Sequence, residues 1–457
     1  MAEIETDYLV VGAGATGMAF TDALIAQSDA SVVIVDRRDR PGGHWVDAYP
    51  FVRLHQTSAN YGVYSRPLGN DEIDADGFYE RATAPQICEY FALVLDDLVA
   101  SGRVRFLGMS DYRGEDANGH HVVSLLTGGE TIVRARKLVD ATYVESTIPS
   151  RHTPNFAVAP DARLIPPNDL VNISEPPTGF TVVGAGKTAM DTVNWLLDGG
   201  VDPDRIQWIR PRDSWTFNRA MMQPLELVGA YMQLQARFIE AAARAEDGHD
   251  FARRLEAGDV LMRIDTATEP ELFRGAILST RELETLRSIE RVVRLGKVKS
   301  IAHERIVLDE GDVAVQPGQL FIDCTAAGVR PTVARPIFEG NRITPQYVTI
   351  GIVPWSAAII GAVEALKGDD ADKNRLCPPV VFTGDSADTL RLAYAGISGL
   401  AARGADPDLA PWNANCRLDP AAWAGAHAHE PAVTDAFVTI GTHMGAAMEN
   451  LARRTAQ

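Results

Sequence analysis

Two distant parts of the chain share one pattern of hydrophobic and polar residues. In the first part, an apolar run over residues 8–11 leads into glycines. Phe20, Ala23 and Leu24 follow at the i, i+3, i+4 spacing of a helix. A second apolar run over residues 31–35 completes a strand, turn, helix and strand, which is the beginning of a Rossmann-like unit.

The second part repeats this design. Residues 180–183 form an apolar run before another glycine turn, and residues 206–209 form the next run. The helix between them has an apolar face made of Ala189, Val193, Leu196 and Leu197. The chain is therefore predicted to be α/β, with two Rossmann-like dinucleotide-binding domains.

Between and after these units the pattern changes. Residues 104–133 are predicted to be antiparallel and to lead into a strand at Lys137. From Pro224 to Leu295 the pattern predicts a helical insertion, because apolar residues recur at helical spacing. These residues are Leu227, Tyr231, Leu234, Phe238 and Ala242.

Ser279 and Glu282 have the spacing of a capping box, which predicts the start of a further helix in the insertion. Its apolar face would consist of Leu283, Leu286 and Val293. Trp215, Phe217, Met221 and Met222 lead into the insertion, where they would either roof a substrate or pack at a domain junction. The residues after 366 are predicted to form a helical and loop appendage.

Charge and cysteine content narrow the function classes. The 457 residues carry a formal net charge of −18, which repels phosphate backbones and argues against nucleic acid as a partner. The four cysteines include no C-x-x-C, which argues against a structural zinc site and fits a reducing cytoplasm. The acidic N-terminus is unlike a signal peptide. Pro354 and Glu364 interrupt the apolar run over residues 347–366, which predicts a buried strand, turn and helix instead of a membrane span.

The first glycine turn has the spacing of a dinucleotide site. Gly12 permits a tight turn, Gly14 lets the backbone approach a pyrophosphate, and Gly17 lets the helix pack on the strand. The helix N-terminus offers free N–H groups to the phosphates. Asp36 follows the second strand, where an acid accepts the ribose hydroxyls.

The second turn, Gly184-x-Gly186-x-x-Ala189, repeats the cradle and adds the charge of Lys187. Its next strand ends at Arg210 and Arg212, where the first domain has Asp36. Arginines would grip a 2′-phosphate, which predicts NADP(H) in preference to NAD(H). Two alternatives stay open. The arginines could be solvated or paired with Asp213, and the second turn could bind nothing.

Several short stretches resemble class B flavin monooxygenases, the family of flavin-containing and Baeyer–Villiger enzymes. Gly42-Gly43-His44-Trp45 is similar to the family's G-G-x-W, and Tyr49-Pro50 and residues 53–55 extend the likeness. Residues 140–143 and 323–331 resemble its strands that connect the two domains. Gly351-Ile-Val-Pro354-Trp-Ser356 is similar to its final flavin contact. The likeness covers residues 7–212 and 321–366.

The resemblance implies FAD at the first turn and NADPH at the second, with O2 and a small organic molecule as the other reactants. Hydride would pass from NADPH to FAD, and a C4a-(hydro)peroxyflavin would give one oxygen atom to nitrogen, sulfur or a carbonyl carbon. Candidate catalytic residues are Asn60, Arg53 and His55, and no metal is expected. The cofactor-binding candidates are Gly12, Gly14, Ala15, Gly17, Asp36, Arg37, Gly43, His44, Trp45, Gly184, Gly186, Lys187, Thr188, Arg210, Arg212, Gly351, Pro354 and Ser356.

The domain hypothesis assigns residues 1–150 and 321–457 to a discontinuous FAD-binding domain. Residues 151–320 would be the NADP(H)-binding domain, with residues 220–295 as its insertion. The insertion and the tail offer surfaces for a homodimer. His152 lacks the F-x-G that precedes the corresponding histidine in the family. That departure favours the alternative of a flavoprotein reductase or oxidase without oxygen transfer, and a nucleotide-binding scaffold with a silent second site is the third hypothesis.

Overall fold

A computed structural model describes residues 2–144, 146–302, 304–328 and 332–456. In chain order its strands are β1 (Ala2–Val11), β2 (Val32–Val35), β3 (Val104–Leu107), β4 (Ser110–Asp116), β5 (Gly119–Ser124), β6 (Glu130–Asp140), β7 (Ala157–Val158), β8 (Leu164–Ile165), β9 (Phe180–Val183), β10 (Ile206–Ile209), β11 (Ser214–Asn218), β12 (Leu261–Met262), β13 (Leu272–Leu278), β14 (Val292–Val293), β15 (Val298–Ile301), β16 (Arg305–Leu308), β17 (Gly311–Ala314), β18 (Leu320–Asp323), β19 (Phe338–Glu339) and β20 (Arg342–Ile343). Its helices are α1 (Ala15–Ala26), α2 (Ala84–Ala100), α3 (Lys187–Asp198), α4 (Val228–Arg244), α5 (Gly248–Ala257), α6 (Thr280–Arg287), α7 (Val353–Leu366), α8 (Asp370–Leu376), α9 (Thr389–Gly404), α10 (Leu409–Ala414) and α11 (Pro431–Thr455).

The first glycine turn belongs to a sheet with the order β19-β20-β6-β1-β2-β3. β1 lies parallel to both β2 and β6, and β2 lies parallel to β3. Helices α1, α2 and α7 pack on one face of this sheet. The antiparallel hairpin of β4 and β5 contributes Val122 to the opposite face. The predicted antiparallel segment is therefore confirmed for β4 and β5, and β3 is instead a parallel strand of the sheet.

Helices α1 and α7 pack at close range. A Cβ atom at Gly361 would lie 2.4 Å from the Phe20 carbonyl oxygen, so only glycine allows this contact. α7 covers most of the apolar run over residues 347–366, and its side chains are largely buried in the first core. Among the described residues, no helix is long and apolar enough to cross a membrane.

The second glycine turn belongs to a parallel sheet with the order β14-β10-β9-β18-β8. α3 and α6 pack on one face, and the sheet of β7, β15, β16 and β17 covers the other. Both halves therefore place a glycine turn at the carboxyl end of a central parallel strand, as the sequence predicted.

The insertion is only partly helical. α4 carries Tyr231, Leu234, Phe238 and Ala242 in buried positions, and the capping box at Ser279 is present. The predicted helical insertion is confirmed only in part, because β12 and β13 pair with β11, and β14 joins the second parallel sheet. Val293 lies on β14 beside Ile209 instead of on α6. β14 pairs with the edge of β10 and so satisfies the backbone groups along that edge. If α6 continued through these residues, the edge of β10 would stay unpaired.

The tail divides between two cores. α9 and α11 pack with α4, α5 and the β11 sheet, while α10 contributes Leu409 and Trp412 to the core around α1 and α7. The Asn450 amide of α11 donates to the carbonyl oxygens of Ala242 and Ala245 at the end of α4. The insertion and the last helix thus form one helical layer, although the residues joined by these two bonds are 208 and 205 positions apart in the chain.

Candidate functional site

The first glycine turn is sterically fixed. Gly12 has a φ of +105°, and a Cβ there would lie 3.1 Å from the Thr142 side chain at the end of β6. A Cβ at Gly17 would lie 1.9 Å from the Gly12 carbonyl oxygen. α1 starts after Gly14, and within the described chain no side chain caps its N-terminus. The N–H groups of its first turn, starting at Ala15, can therefore bind an anion.

Asp36 lies beside this turn, as predicted. Its carboxylate accepts hydrogen bonds from the backbone N–H of Ala13 at 2.7 Å and of Arg38 at 2.8 Å. The acid is buried and fixed at the end of β2. Arg37 points away from it, because its exposed guanidinium lies 3.6 Å from Asp111.

The paired glycines after β2 border the first turn. Gly42 and Gly43 have φ values of +124° and +57°, and a Cβ at Gly43 would lie 2.8 Å from the Gly14 Cα. The paired glycines therefore let the chain pass close to Gly14 of the first turn. Trp45 donates its indole N–H to the Tyr61 hydroxyl at 2.7 Å. Burial lowers the pKa of His44 to about 4, so this ring is neutral at physiological pH.

The start of α7 lies next to the start of α1. Gly351 has a φ of +79°, and Pro354 occupies the first turn of α7. The Ser356 hydroxyl donates to the Ile352 carbonyl at 2.9 Å and accepts from the Val348 N–H at 3.2 Å. A narrow cavity between Thr16 of α1 and Ser356 joins the two helix starts. Residues 351–356, which resemble the family's final flavin contact, therefore lie beside the first glycine turn. The Ser356 hydroxyl itself stabilises the first turn of α7.

The second glycine turn has the same geometry. Gly184 has a φ of +132°, and a Cβ there would lie 2.5 Å from the Cys324 carbonyl oxygen at the end of β18. Ala189 is fully buried, so the third position tolerates one methyl group. A Cβ at Gly186 would meet no described atom within 4 Å, which leaves the space over this turn open. Residues 323–328 of the second connecting stretch lie here, whereas Val329, Arg330 and Pro331 fall outside the described residues.

Lys187 and Thr188 open α3 at this turn. The Lys187 ammonium pairs with Asp191 one helical turn later. The other oxygen of Asp191 accepts a hydrogen bond from the Tyr49 hydroxyl at 2.7 Å. The Phe51 ring stacks on Trp195 at 4.8 Å. The segment after the paired glycines is therefore docked on the helix that follows the second turn.

An arginine cluster lies at the end of β10. Arg210 is 3% exposed, its Nε lies 2.8 Å from Asp213, and its guanidinium lies 4.6 Å above the Trp208 ring. Arg294 reaches both Asp213 and Asp265, at 3.3 and 2.8 Å. The pairing of Arg210 with Asp213, one of the two alternatives at the sequence level, is present.

The exposed Arg212 and the nearby Arg274 complete the cluster. Burial and the charge of Arg212 lower the pKa of Arg274. Sequence reasoning missed Arg274 and Arg294, because both come from the insertion and only the fold brings them to β10.

The three catalytic candidates have different surroundings. Asn60 is 2% exposed, its amide oxygen accepts from the Thr57 hydroxyl at 3.1 Å, and its NH2 donates to the Arg417 carbonyl at 3.2 Å. Arg53 is exposed and donates to the Arg81 carbonyl. His55 lies at the junction with α3. Burial and the charge of Lys187 lower the pKa of His55 to about 3.

A second ion-pair group, missed at the sequence level, meets His55. Arg219 is fully buried, donates to the His55 carbonyl at 3.0 Å and pairs with Glu282. Burial alone raises the pKa of Glu282, but Arg219, Lys187 and Arg81 outweigh it and lower that pKa to about 2. The first unit, α3 and the insertion therefore converge on one charged junction. No sequence motif signals this junction, since its members are single residues from distant segments.

The comparisons with known proteins agree with this architecture. Residues 10–64 match the family model described as an NAD(P)-binding Rossmann-like domain. Among solved structures, cyclohexanone monooxygenase with bound ε-caprolactone aligns with a TM-score of 0.52 at 13% identity, over 80% of this chain and 87% of the other. Cyclohexanone monooxygenase from Rhodococcus sp. Phi1 bound to NADP+ gives 0.50 at 15% identity, over 80% and 84%. Oxidised steroid monooxygenase bound to NADP gives 0.50 at 15% identity, over 79% and 85%.

The fold is that of flavoprotein monooxygenases with two dinucleotide-binding domains, which confirms the resemblance at the level of the fold. More specifically, this chain belongs to the family of the uncharacterised protein Rv2000 of Mycobacterium tuberculosis. It is 42% identical to that protein over 459 residues, which cover 98% of this chain and 84% of the relative. The uncharacterised protein Mb2023 of Mycobacterium bovis matches with the same identity and coverage.

Proposed function

We propose that this protein is an FAD-dependent, NADPH-consuming monooxygenase that transfers one oxygen atom from O2 to a small organic substrate. The observation that carries the proposal is the pair of open helix N-termini, one after each glycine turn, at the carboxyl ends of central parallel strands in two sheets. Such ends bind the pyrophosphates of dinucleotides.

The residues of the first turn fit FAD. A side chain at Gly12 would be strained by the φ of +105°, and one at Gly17 would collide with the Gly12 carbonyl oxygen. Asp36 is fixed beside the turn. The N-terminus of α7 opens on the same space and would stabilise negative charge on a reduced flavin. We assign the FAD-binding domain to residues 1–150 and 321–457, which together contain the whole first sheet, while β18 of the second sheet crosses this boundary and ends at Asp323.

The second turn fits NADPH. We assign this site to residues 151–320, with Gly186 and Lys187 at the pyrophosphate and the arginine cluster at the 2′-phosphate. A cluster of four arginines against two aspartates keeps an excess of positive charge where that phosphate would lie. When bound, the flavin would accept hydride and activate O2.

The chain's own residues would bind and orient the cofactors and the substrate, and would exclude water. The docking of Tyr49 and Phe51 on α3 fixes the two halves against each other. His55 stays neutral beside Lys187, because burial opposes its protonation. It can therefore accept or donate a hydrogen bond at the junction without adding charge.

One observation favours a second candidate function, a flavoprotein reductase or oxidase of the same fold. Both groups of the Asn60 amide are engaged by Thr57 and Arg417. The amide is 2% exposed and fixed at both ends, so only its second N–H could reach an oxygen species on a flavin, and only where the protein already holds it. The absence of F-x-G before His152 points in the same direction.

Rapid mixing of the flavin-loaded protein separates these functions. NADPH is added without oxygen, then oxygen is added, and the flavin absorbance is followed. In a monooxygenase, the flavin absorbance bleaches with NADPH, and oxygen then produces a long-lived species distinct from oxidised flavin. When substrate is present, one oxygen atom from labelled O2 enters the product. Immediate reoxidation with one hydrogen peroxide released per NADPH, with every nitrogen, sulfur and ketone substrate tried, would support the reductase or oxidase. Gly186→Val serves as the matched control, since it closes the second turn and leaves the first intact.

A further inference from the structure

Lys187 is held by a carboxylate of its own helix. It is the first residue of α3, directly after Gly186, so its side chain starts at the second glycine turn. Its ammonium pairs with Asp191, and both side chains are largely buried. The other carboxylate of this junction, Glu282, is paired with Arg219 and Arg81. Asp191 is therefore the acid that competes with a bound pyrophosphate for Lys187.

The second hydrogen bond of Asp191 comes from the other half of the molecule. Tyr49 lies 142 residues earlier, in the segment that follows the paired glycines, and its hydroxyl donates to Asp191 at 2.7 Å. The hydroxyl is buried, and the adjacent Phe51–Trp195 stack fixes the segment on α3 independently of this bond. Tyr49 and Lys187 therefore bind different oxygens of the Asp191 carboxylate, and the Tyr49 bond does not depend on the ammonium for its position.

We infer that Tyr49 is a positioning residue that allows Lys187 to leave Asp191 and bind the pyrophosphate of NADPH. The inference rests on the proposed function. A buried carboxylate that loses its last partner is strongly destabilised, whereas one that keeps a hydroxyl donor is not. Tyr49 lowers the cost of releasing Lys187, and in this way the first dinucleotide-binding half sets the affinity of the second.

The test measures NADP+ binding to the flavin-loaded protein by calorimetry. Tyr49→Phe should raise the Kd about tenfold, because it removes a hydrogen bond to a charged group. Asp191→Asn should lower the Kd, because a neutral amide does not hold Lys187. In the Asp191→Asn background, Tyr49→Phe should have no further effect.

Adenosine 2′-monophosphate separates positioning from a general structural role. It carries the 2′-phosphate but no pyrophosphate, so Tyr49→Phe should leave its Kd unchanged. Tyr112→Phe is the matched control, since its hydroxyl contacts His120 on the distant hairpin. Flavin content and circular dichroism confirm that each variant is folded, and Asp191→Asn tests the release of Lys187 even if Tyr49→Phe loses flavin.

The outcomes are distinct. The inference would be overturned if Tyr49→Phe weakened the binding of NADP+ and of adenosine 2′-monophosphate equally, or changed neither Kd. It would also be overturned if Tyr49→Phe still raised the Kd for NADP+ in the Asp191→Asn background. Each of these results would leave the proposed function standing. A wild-type protein that binds flavin but no NADP+ at all would overturn the proposed function and the inference together.

Discussion

At the scale of single residues, the glycines of the two turns have different roles. Gly17 is required by packing, since any Cβ there would collide with the Gly12 carbonyl oxygen. Gly186 has a φ of −86° and open space around it, so the fold itself would accept alanine there. We therefore propose that the glycine serves the approach of a ligand and not the stability of the chain.

Gly17→Ala is expected to lower the free energy of unfolding by about 3 kcal/mol, because α1 must shift away from β1. It should also reduce flavin retention, since the N-terminus of α1 moves. Gly186→Ala should change the free energy of unfolding by less than about 1 kcal/mol. Urea unfolding of both variants, together with flavin content, checks the pair. Equal destabilisation would contradict the assignment.

Arg212→Ala is expected to reduce the preference for NADPH over NADH about tenfold, because a charge-assisted hydrogen bond to the 2′-phosphate is lost. The measurement is the ratio of kcat/KM for the two donors. Arg305→Ala is the control, because Arg305 is also exposed but pairs with Asp312 on the hairpin of β16 and β17, outside the arginine cluster. An unchanged ratio in Arg212→Ala would remove this residue from the site.

At the scale of elements, the short helix α6 connects the insertion to the junction. Its capping box uses the Ser279 hydroxyl and the Glu282 carboxylate, and the same carboxylate pairs with Arg219. One side chain thus both starts a helix and neutralises a buried guanidinium. That double role explains why its pKa lies well below the ordinary value.

Glu282→Gln should make the melting temperature of the protein less dependent on pH in the acidic range. The pKa of Glu282 is about 2 in the folded chain against 4.5 ordinarily, so its contribution is complete above pH 4.5 and is lost as the pH falls toward 2. The wild type should therefore exceed the variant in melting temperature at neutral pH, and the difference should shrink over that acidic range. Differential scanning calorimetry at several pH values tests this expectation. A difference that stays constant with pH would mean that the carboxylate charge does not contribute.

At the scale of the whole molecule, the chain contains two dinucleotide-binding halves and a helical layer. The insertion and the last helix make that layer together, and Asn450 links α11 to the end of α4. Neither segment alone covers its apolar face. Residues 321–457, which the domain hypothesis places in one FAD-binding domain, therefore contribute to the first core, to the helical layer and, through β18, to the second sheet. The domain boundaries stay a prediction.

Asn450→Ala should lower the free energy of unfolding by about 2 kcal/mol, because two buried carbonyl groups lose their donor. Asn415→Ala is the matched control, since that exposed amide also donates to a carbonyl, at Pro411. Chemical unfolding followed by circular dichroism measures both. Similar small effects would indicate that water replaces the Asn450 amide and that the layer is looser than the contacts imply.

The sequence by itself determined both glycine turns, the strands and helices that flank them, Asp36, the capping box of α6 and the family resemblance. These features depend on residues close together in the chain, where steric limits on glycine and hydrophobic periodicity act directly. Only the tertiary structure decided that Arg294 joins Arg210 and that Arg274 comes near Arg212. It also decided that β14 completes the second sheet and that Tyr49 meets Asp191. Such contacts join segments far apart in the chain, and a single sequence carries no local signal for them because packing of whole faces selects the partners.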